Sequence, residues 1–205
     1  MSMIKQLSCL VLLSFGMSAF AGADFVNVKT LDDSIVLDMK YASSDNFLKQ
    51  SVYPCGECYL RQDTANALIK ANQDFKQLGY RIKVFDCYRP LSVQKKMWQI
   101  LPNATYVANP AKGSKHNRGA AVDLTLVDKQ GKELDMGTPF DFFGQKAHHS
   151  YRQLPKNVLA NRQLLKTVLA KYDFKPINSE WWHYDYRPQA NAPIADFVWQ
   201  CPAQI

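Results

Sequence analysis

Residues 113–126 read GSKHNRGAAVDLTL. Two glycines bracket a short polar turn that carries His116, and an apolar run follows, interrupted by one carboxylate, Asp123. Val122, Leu124 and Leu126 alternate with Asp123 and Thr125, which is the period of two of a β-strand. So apolar a strand belongs to the core. A carboxylate within it is costly to bury unless it meets a cation, strong hydrogen-bond donors or a metal. The stretch therefore sets an imidazole and a carboxylate at the mouth of a core strand.

A second stretch supplies partners. Residues 179–188 read SEWWHYDYRP, in which Glu180 and His183 bracket two tryptophans. Two imidazoles and one carboxylate, His116, Asp123 and His183, make a three-ligand zinc set with a fourth position left for water. One Zn2+ per chain in that set would lower the pKa of its water and polarise a carbonyl. Glu180 is then free to act as the general base. Positions 180 and 183 fall on opposite faces of an ideal strand, so the backbone must bend or bulge if both reach one ion.

The remaining segments set the fold class. Residues 28–43 (VKTLDDSIVLDMKYAS) look extended, with Ile35, Leu37 and Met39 on one face. Residues 63–79 have helical spacing at Leu68, Ala71, Phe75 and Leu78, with Asp63 as a cap and Gly79 as the stop. Residues 80–89 alternate as a strand, with Tyr80, Ile82 and Val84 on one side. Pro90 opens a second helix that Pro102 closes. A third helix spans NRQLLKTVLAKY (161–172), packing through Leu164, Leu165, Val168 and Leu169, and EWWHYDY (180–186) is a final strand. Strands and helices without a regular βαβ rhythm predict an α+β fold: a small, mainly antiparallel sheet with helices packed beside it and the zinc site at the sheet.

The chain has 205 residues, ordinary apolar (47%) and charged (21%) fractions, and no linker, so residues 24–205 are read as one domain. Residues 1–23 are a separate object. One lysine, an apolar run from Leu7 to Phe20 and A-x-A arrangements ending at Ala21 and Ala23 make a signal peptide, cut after one of those alanines. The run is too short to span a membrane comfortably, and no later stretch is long enough, so no stable membrane insertion is expected after cleavage. The protein is expected in the periplasm or outside the cell. Cys9 leaves with the signal; Cys55, Cys58, Cys87 and Cys201 remain and are read as structural disulfides, with the pairing open. The CGEC stretch (55–58) lacks the second CxxC of a zinc site and the βαβ surround of a redox pair. Net charge is +7, but there is no block of like charge and no nucleic-acid-binding motif, and export argues against nucleic-acid partners.

These motifs resemble those of the VanX-type D-alanyl-D-alanine dipeptidases. SKHNRGAAVD (114–123) has their SxHxxGxAxD pattern and EWWH (180–183) their ExWH pattern. DCYRP, MGTPFDFF followed by HHS, and KYASSDNF resemble further segments of the family, so that the likeness runs from about Leu31 to about Tyr186. The resemblance implies a zinc dipeptidase acting on a small dipeptide. His116, Asp123 and His183 would hold the zinc, Glu180 would be the base, and Arg89 would stabilise the developing oxyanion. Asp141 would bind the substrate ammonium, with Ser114 and Tyr41 helping to hold the substrate. His148 and His149 fall near the site in this likeness and are taken as supporting residues behind the ligands or as loop packing, and not as ligands. The YPCGECYLR stretch (53–61) departs from the family and borders the expected pocket. Two other readings remain: a D,D-carboxypeptidase acting on peptidoglycan stem peptides, and a non-catalytic zinc module that recognises wall peptides.

Overall fold

A computed structural model describes residues 24–202; the expected signal segment, residues 1–23, lies outside the described residues. The fold is α+β, as the sequence predicts. Its main sheet has five strands in the order β2 (Val36–Leu37), β4 (Arg81–Asp86), β5 (Ala121–Val127), β7 (His183–Tyr186) and β6 (Phe174–Pro176). Only β2 runs parallel to its neighbour; the other three pairings are antiparallel. A small antiparallel pair, β1 (Phe25–Asn27) and β3 (Tyr59–Arg61), stands beside it. Helices α2 (Gln62–Gln77) and α4 (Lys156–Ala170) pack on each other, α2 on β4 and α4 on β6. Among the described residues, no helix is long and apolar enough to cross a membrane.

The strand predicted around Asp123 is β5, the middle of the sheet. All seven of its residues are buried, which explains its near-continuous apolar run. Helix α3 (Leu91–Ile100) follows Pro90 as read, and Gly79, at φ +85°, ends the turn after α2.

Several boundaries differ from the sequence reading. Only Val36–Leu37 of the extended segment is a strand. Asn27 Oδ1 accepts from Lys29 N at 3.0 Å and caps a single helical turn, α1 (Val28–Leu31). Ile35 and Met39 are nonetheless buried. Asp63 is not the cap of α2. The strand β3 runs straight into the helix, so Arg61 holds the cap position in extended backbone and Asp63 falls in the first turn. Helix α4 starts five residues earlier than predicted, directly after Pro155, and adds Val158 and Arg162 to its buried face; Leu164 is only partly covered. The strand read over 180–186 begins at His183, after a bend at Trp181 and Trp182.

The four cysteines form two disulfides, Cys58–Cys87 and Cys55–Cys201, with Cα separations of 5.3 and 5.9 Å. The two cysteines of CGEC thus take different partners. The bridges close loops of 29 and 146 residues. Chain-entropy arguments put such closures on the order of 4 and 5 kcal/mol. The longer bridge pins a C-terminal strap on an aromatic cluster, where Tyr88 stacks on Phe197 at 4.5 Å and Phe25 meets Tyr88 at 4.7 Å.

His149 is a packing residue, set against Tyr184 at 6.1 Å with its Nε2 buried and unpartnered. Burial, and then Lys166, Arg162 and Arg152, push its pKa down from about 6.5 to about 4. The folded state therefore resists protonation that the unfolded chain accepts, and stability falls as pH drops from about 6.5 to about 4. Urea unfolding at pH 7 and pH 4.5 should show the native protein losing about 2 kcal/mol more than His149→Phe over that interval; equal losses would remove this assignment.

Candidate metal centre and cleft

The turn before β5 depends on its glycines. Gly119 has φ +63°, and a Cβ there would come within 2.3 Å of the Phe25 ring. Gly113 has φ +70°, and a Cβ would come within 2.5 Å of Ile194. Both need the left-handed freedom and the missing side chain of glycine. Between them the chain makes a tight 3-10 turn, His116–Arg118. Asn117 fastens the turn to its surroundings. Its Nδ2 donates to Arg89 O at 2.7 Å, its Oδ1 accepts from Ser114 N at 2.6 Å, and its carbonyl accepts from Ala195 N of the C-terminal strap at 2.9 Å.

Sheet register does the rest. Asp123 of β5 stands opposite His183 of β7 and Asp86 of β4. His116 swings over this row. Its Nδ1 lies 2.7 Å from the Cys87 carbonyl, which can only accept, so Nδ1 carries the proton and Nε2 presents a lone pair. His183 is anchored at its other end: Nε2 donates to Asp185 Oδ1 at 2.8 Å, leaving Nδ1 as the free lone pair. The two free nitrogens are 3.2 Å apart. Asp123 Oδ1 is 3.0 Å from one and 3.4 Å from the other. Three buried acceptor atoms thus converge on one point, an arrangement that calls for a cation between them. Burial alone would raise the pKa of Asp123, and a positive charge beside it, a protonated imidazole or a cation at the convergence point, lowers it.

All eight residues singled out in the sequence line one cavity of about 350 Å³, at the small end of the roughly 300–1,000 Å³ usual for ligand sites. The bend at Trp181–Trp182 removes the two-face difficulty, and Glu180 Oε2 lies 4.0 Å from His183 Nδ1. Burial raises the pKa of Glu180, with Asp123 adding to the effect and His183 opposing it. Trp182 is buried against Phe140, and Trp181 Nε1 donates to Thr138 Oγ1, so the bend is rigid.

Arg89 is 7% exposed, far from a loose residue at a strand end. Its Nη2 donates to Asp86 and its Nη1 to Gln94 Oε1 at 2.9 Å, while its guanidinium sits 5.1 Å from the centre of the Tyr41 ring. Nε is buried without a partner. Asp141 adopts φ +57° and receives the Tyr41 hydroxyl at 3.1 Å. Burial, and then the charge of Asp123, push its pKa well above the ordinary value. Ser114 stands half-buried at the mouth. Across that mouth, Tyr106 and Phe143 come from separate loops and meet at 4.3 Å. His148 lines a shallow outer cleft beside Glu180 and approaches none of the three converging atoms.

Asp86 is the residue that the sequence reading quoted without a role. It is fully buried and accepts from the Tyr53 hydroxyl at 2.6 Å, from Cys87 N at 2.9 Å and from Arg89. The signal was the same as for Asp123, a carboxylate in an apolar strand.

Comparison with known proteins places this arrangement. The family model described as D-ala-D-ala dipeptidase, peptidase M15, matches residues 21–201. The chain belongs to that family. The D-alanyl-D-alanine dipeptidase of Escherichia coli K12 is 33% identical over 178 residues, covering 87% of this chain and 92% of the relative. The enzyme of the same name from Enterococcus faecium is 31% identical over 173 residues, covering 74% and 86%. Among solved structures, the LdcB LD-carboxypeptidase is similar with a TM-score of 0.46 and 21% identity, over 80% of this chain and 68% of that one. The family is one of zinc peptidases, and the chain is a metallopeptidase by that membership.

If the three converging atoms hold a divalent ion, Asp123→Asn should weaken zinc binding by at least roughly a hundredfold, since it removes the only anionic ligand while keeping the shape. Zinc content after dialysis and competition titration check this; full retention would remove the ligand assignment.

Proposed function

We propose that this chain is a zinc-dependent dipeptidase that hydrolyses D-alanyl-D-alanine, with one zinc on His116, Asp123 and His183. The donor set supports zinc. Ligands 2.0–2.1 Å from a tetrahedral ion stand roughly 3.3 Å apart, and the three acceptor atoms are separated by 3.0, 3.2 and 3.4 Å. When bound, zinc supplies a Lewis acid that polarises the scissile carbonyl and acidifies water.

The remaining steps belong to side chains. Glu180, made more basic by burial, takes a proton from the attacking water and delivers it to the leaving amine. Arg89, held rigid by Asp86 and Gln94, offers a permanent charge to the carbonyl oxygen as negative charge develops there. Asp141 is a carboxylate whose buried setting disfavours its charge, so a substrate ammonium beside it is a gain for both groups. The Tyr41 hydroxyl aims Asp141, and Ser114 steadies the substrate at the mouth.

The observation that carries the reading is that the converging triad, Glu180 and Asp141 share one small cavity. The aromatic contact of Tyr106 with Phe143 favours a dipeptide over a stem peptide, because an open groove is what a D,D-carboxypeptidase would need. Glu180 beside the triad speaks against a purely binding module. We also propose export to the periplasm or beyond; the leader composition and the two disulfides support it.

The zinc-loaded protein should release alanine from D-Ala-D-Ala and not from L-Ala-L-Ala or a stem pentapeptide. Release from the pentapeptide alone would favour the carboxypeptidase. Glu180→Ala should keep its zinc and lose about 10²–10⁴ in kcat; undiminished hydrolysis would overturn the assigned base.

A further inference from the structure

The two imidazoles of the triad are held from behind in different ways. His116 donates to the Cys87 backbone carbonyl at 2.7 Å, a neutral acceptor that the chain supplies whatever the side chain there; the Asp86 carboxylate stands farther off, 3.5 Å from the same Nδ1, and is already paired with Arg89. His183 is anchored by a side chain, Asp185, whose Oδ1 lies 2.8 Å from Nε2. Asp185 sits two residues further along β7, on the same face of the strand as His183. Among the described residues, no lysine or arginine lies within ion-pair distance of Asp185; its one partner is the imidazole. A carboxylate left without a cation and aimed at the outer nitrogen of a ligand-bearing ring does two things. It keeps the proton on Nε2, which leaves the Nδ1 lone pair facing Asp123 and His116. It also makes the ring a stronger electron donor than a neutral acceptor would.

We propose that Asp185 is a positioning residue for the metal centre: an anionic anchor that fixes the orientation of His183 and strengthens its grip on the ion. This rests on the reading that His116, Asp123 and His183 hold zinc. It assigns Asp185 no contact with substrate, although the residue borders the cavity. The geometry separates two contributions. Asparagine at this position keeps an oxygen that can accept from Nε2 but removes the charge, and alanine removes both.

Zinc affinity, measured by competition with a chromophoric chelator, tests the proposal without reference to hydrolysis. Asp185→Ala should bind zinc about 10–100-fold more weakly than the native protein, and Asp185→Asn should fall between the two. In proton NMR, the hydrogen-bonded Nε2 proton of His183 should give a downfield signal in the native protein and in Asp185→Asn, and none in Asp185→Ala. Thermal unfolding of the metal-free proteins checks that the fold is kept. An Asp185→Ala affinity within about twofold of native would overturn the proposal. So would a change confined to KM for the dipeptide, which would make Asp185 a substrate contact. Should the alanine variant not fold, native zinc affinity in Asp185→Asn would overturn the charge-based anchor. A native protein that binds no zinc would instead sink the metal-site reading, and the anchor with it.

Discussion

Three lone pairs aimed at one buried point repel one another and gain nothing from water. The structure is organised around holding them there. Each is constrained from behind: His116 by a carbonyl at the end of β4, His183 by Asp185, and Asp123 by its place in the central strand of the sheet. Without those constraints the side chains would turn to solvent or to separate partners. With them, the cost of convergence is met when a divalent cation occupies the centre.

The same logic extends outward. The His116 turn is held by Asn117, which reaches Arg89 on one side and the C-terminal strap on the other. Arg118 and Arg61 donate to the carbonyls of Ala192 and Pro193 in that strap. The strap ends in the Cys55–Cys201 bridge, and Cys58–Cys87 joins the segment before β3 to the residue whose carbonyl orients His116. The disulfides thus stabilise the part of the molecule that sets the ligand geometry. Arg89 and Asp86 form the layer beneath the triad, where a buried cation and a buried anion satisfy each other and Tyr53 completes the carboxylate's hydrogen bonds.

Much of this was legible from residue order. The alternation around Asp123 marked the central strand, and the Gly–His–Gly pattern marked the turn. The spacing of Glu180 and His183 demanded a bend, which lies at the two tryptophans. Errors fell where short-range polar chemistry competes with periodicity. Asn27 capped a helical turn inside an apparently extended segment. At α2, a strand running directly into the helix left Asp63 inside the first turn and not ahead of it.

The sequence by itself marked the core strand and nominated His116, Asp123 and His183 as a ligand set and Glu180 as a base, because each follows from local pattern and from the cost of burying charge. Tertiary structure alone decided which cysteines pair, that Asp86 and Asp185 stand behind the arginine and the histidine, and that Tyr106 and Phe143 meet across the mouth. Those are contacts between segments brought together by sheet register and loop closure. Neither period nor propensity carries information about which distant residues will become neighbours.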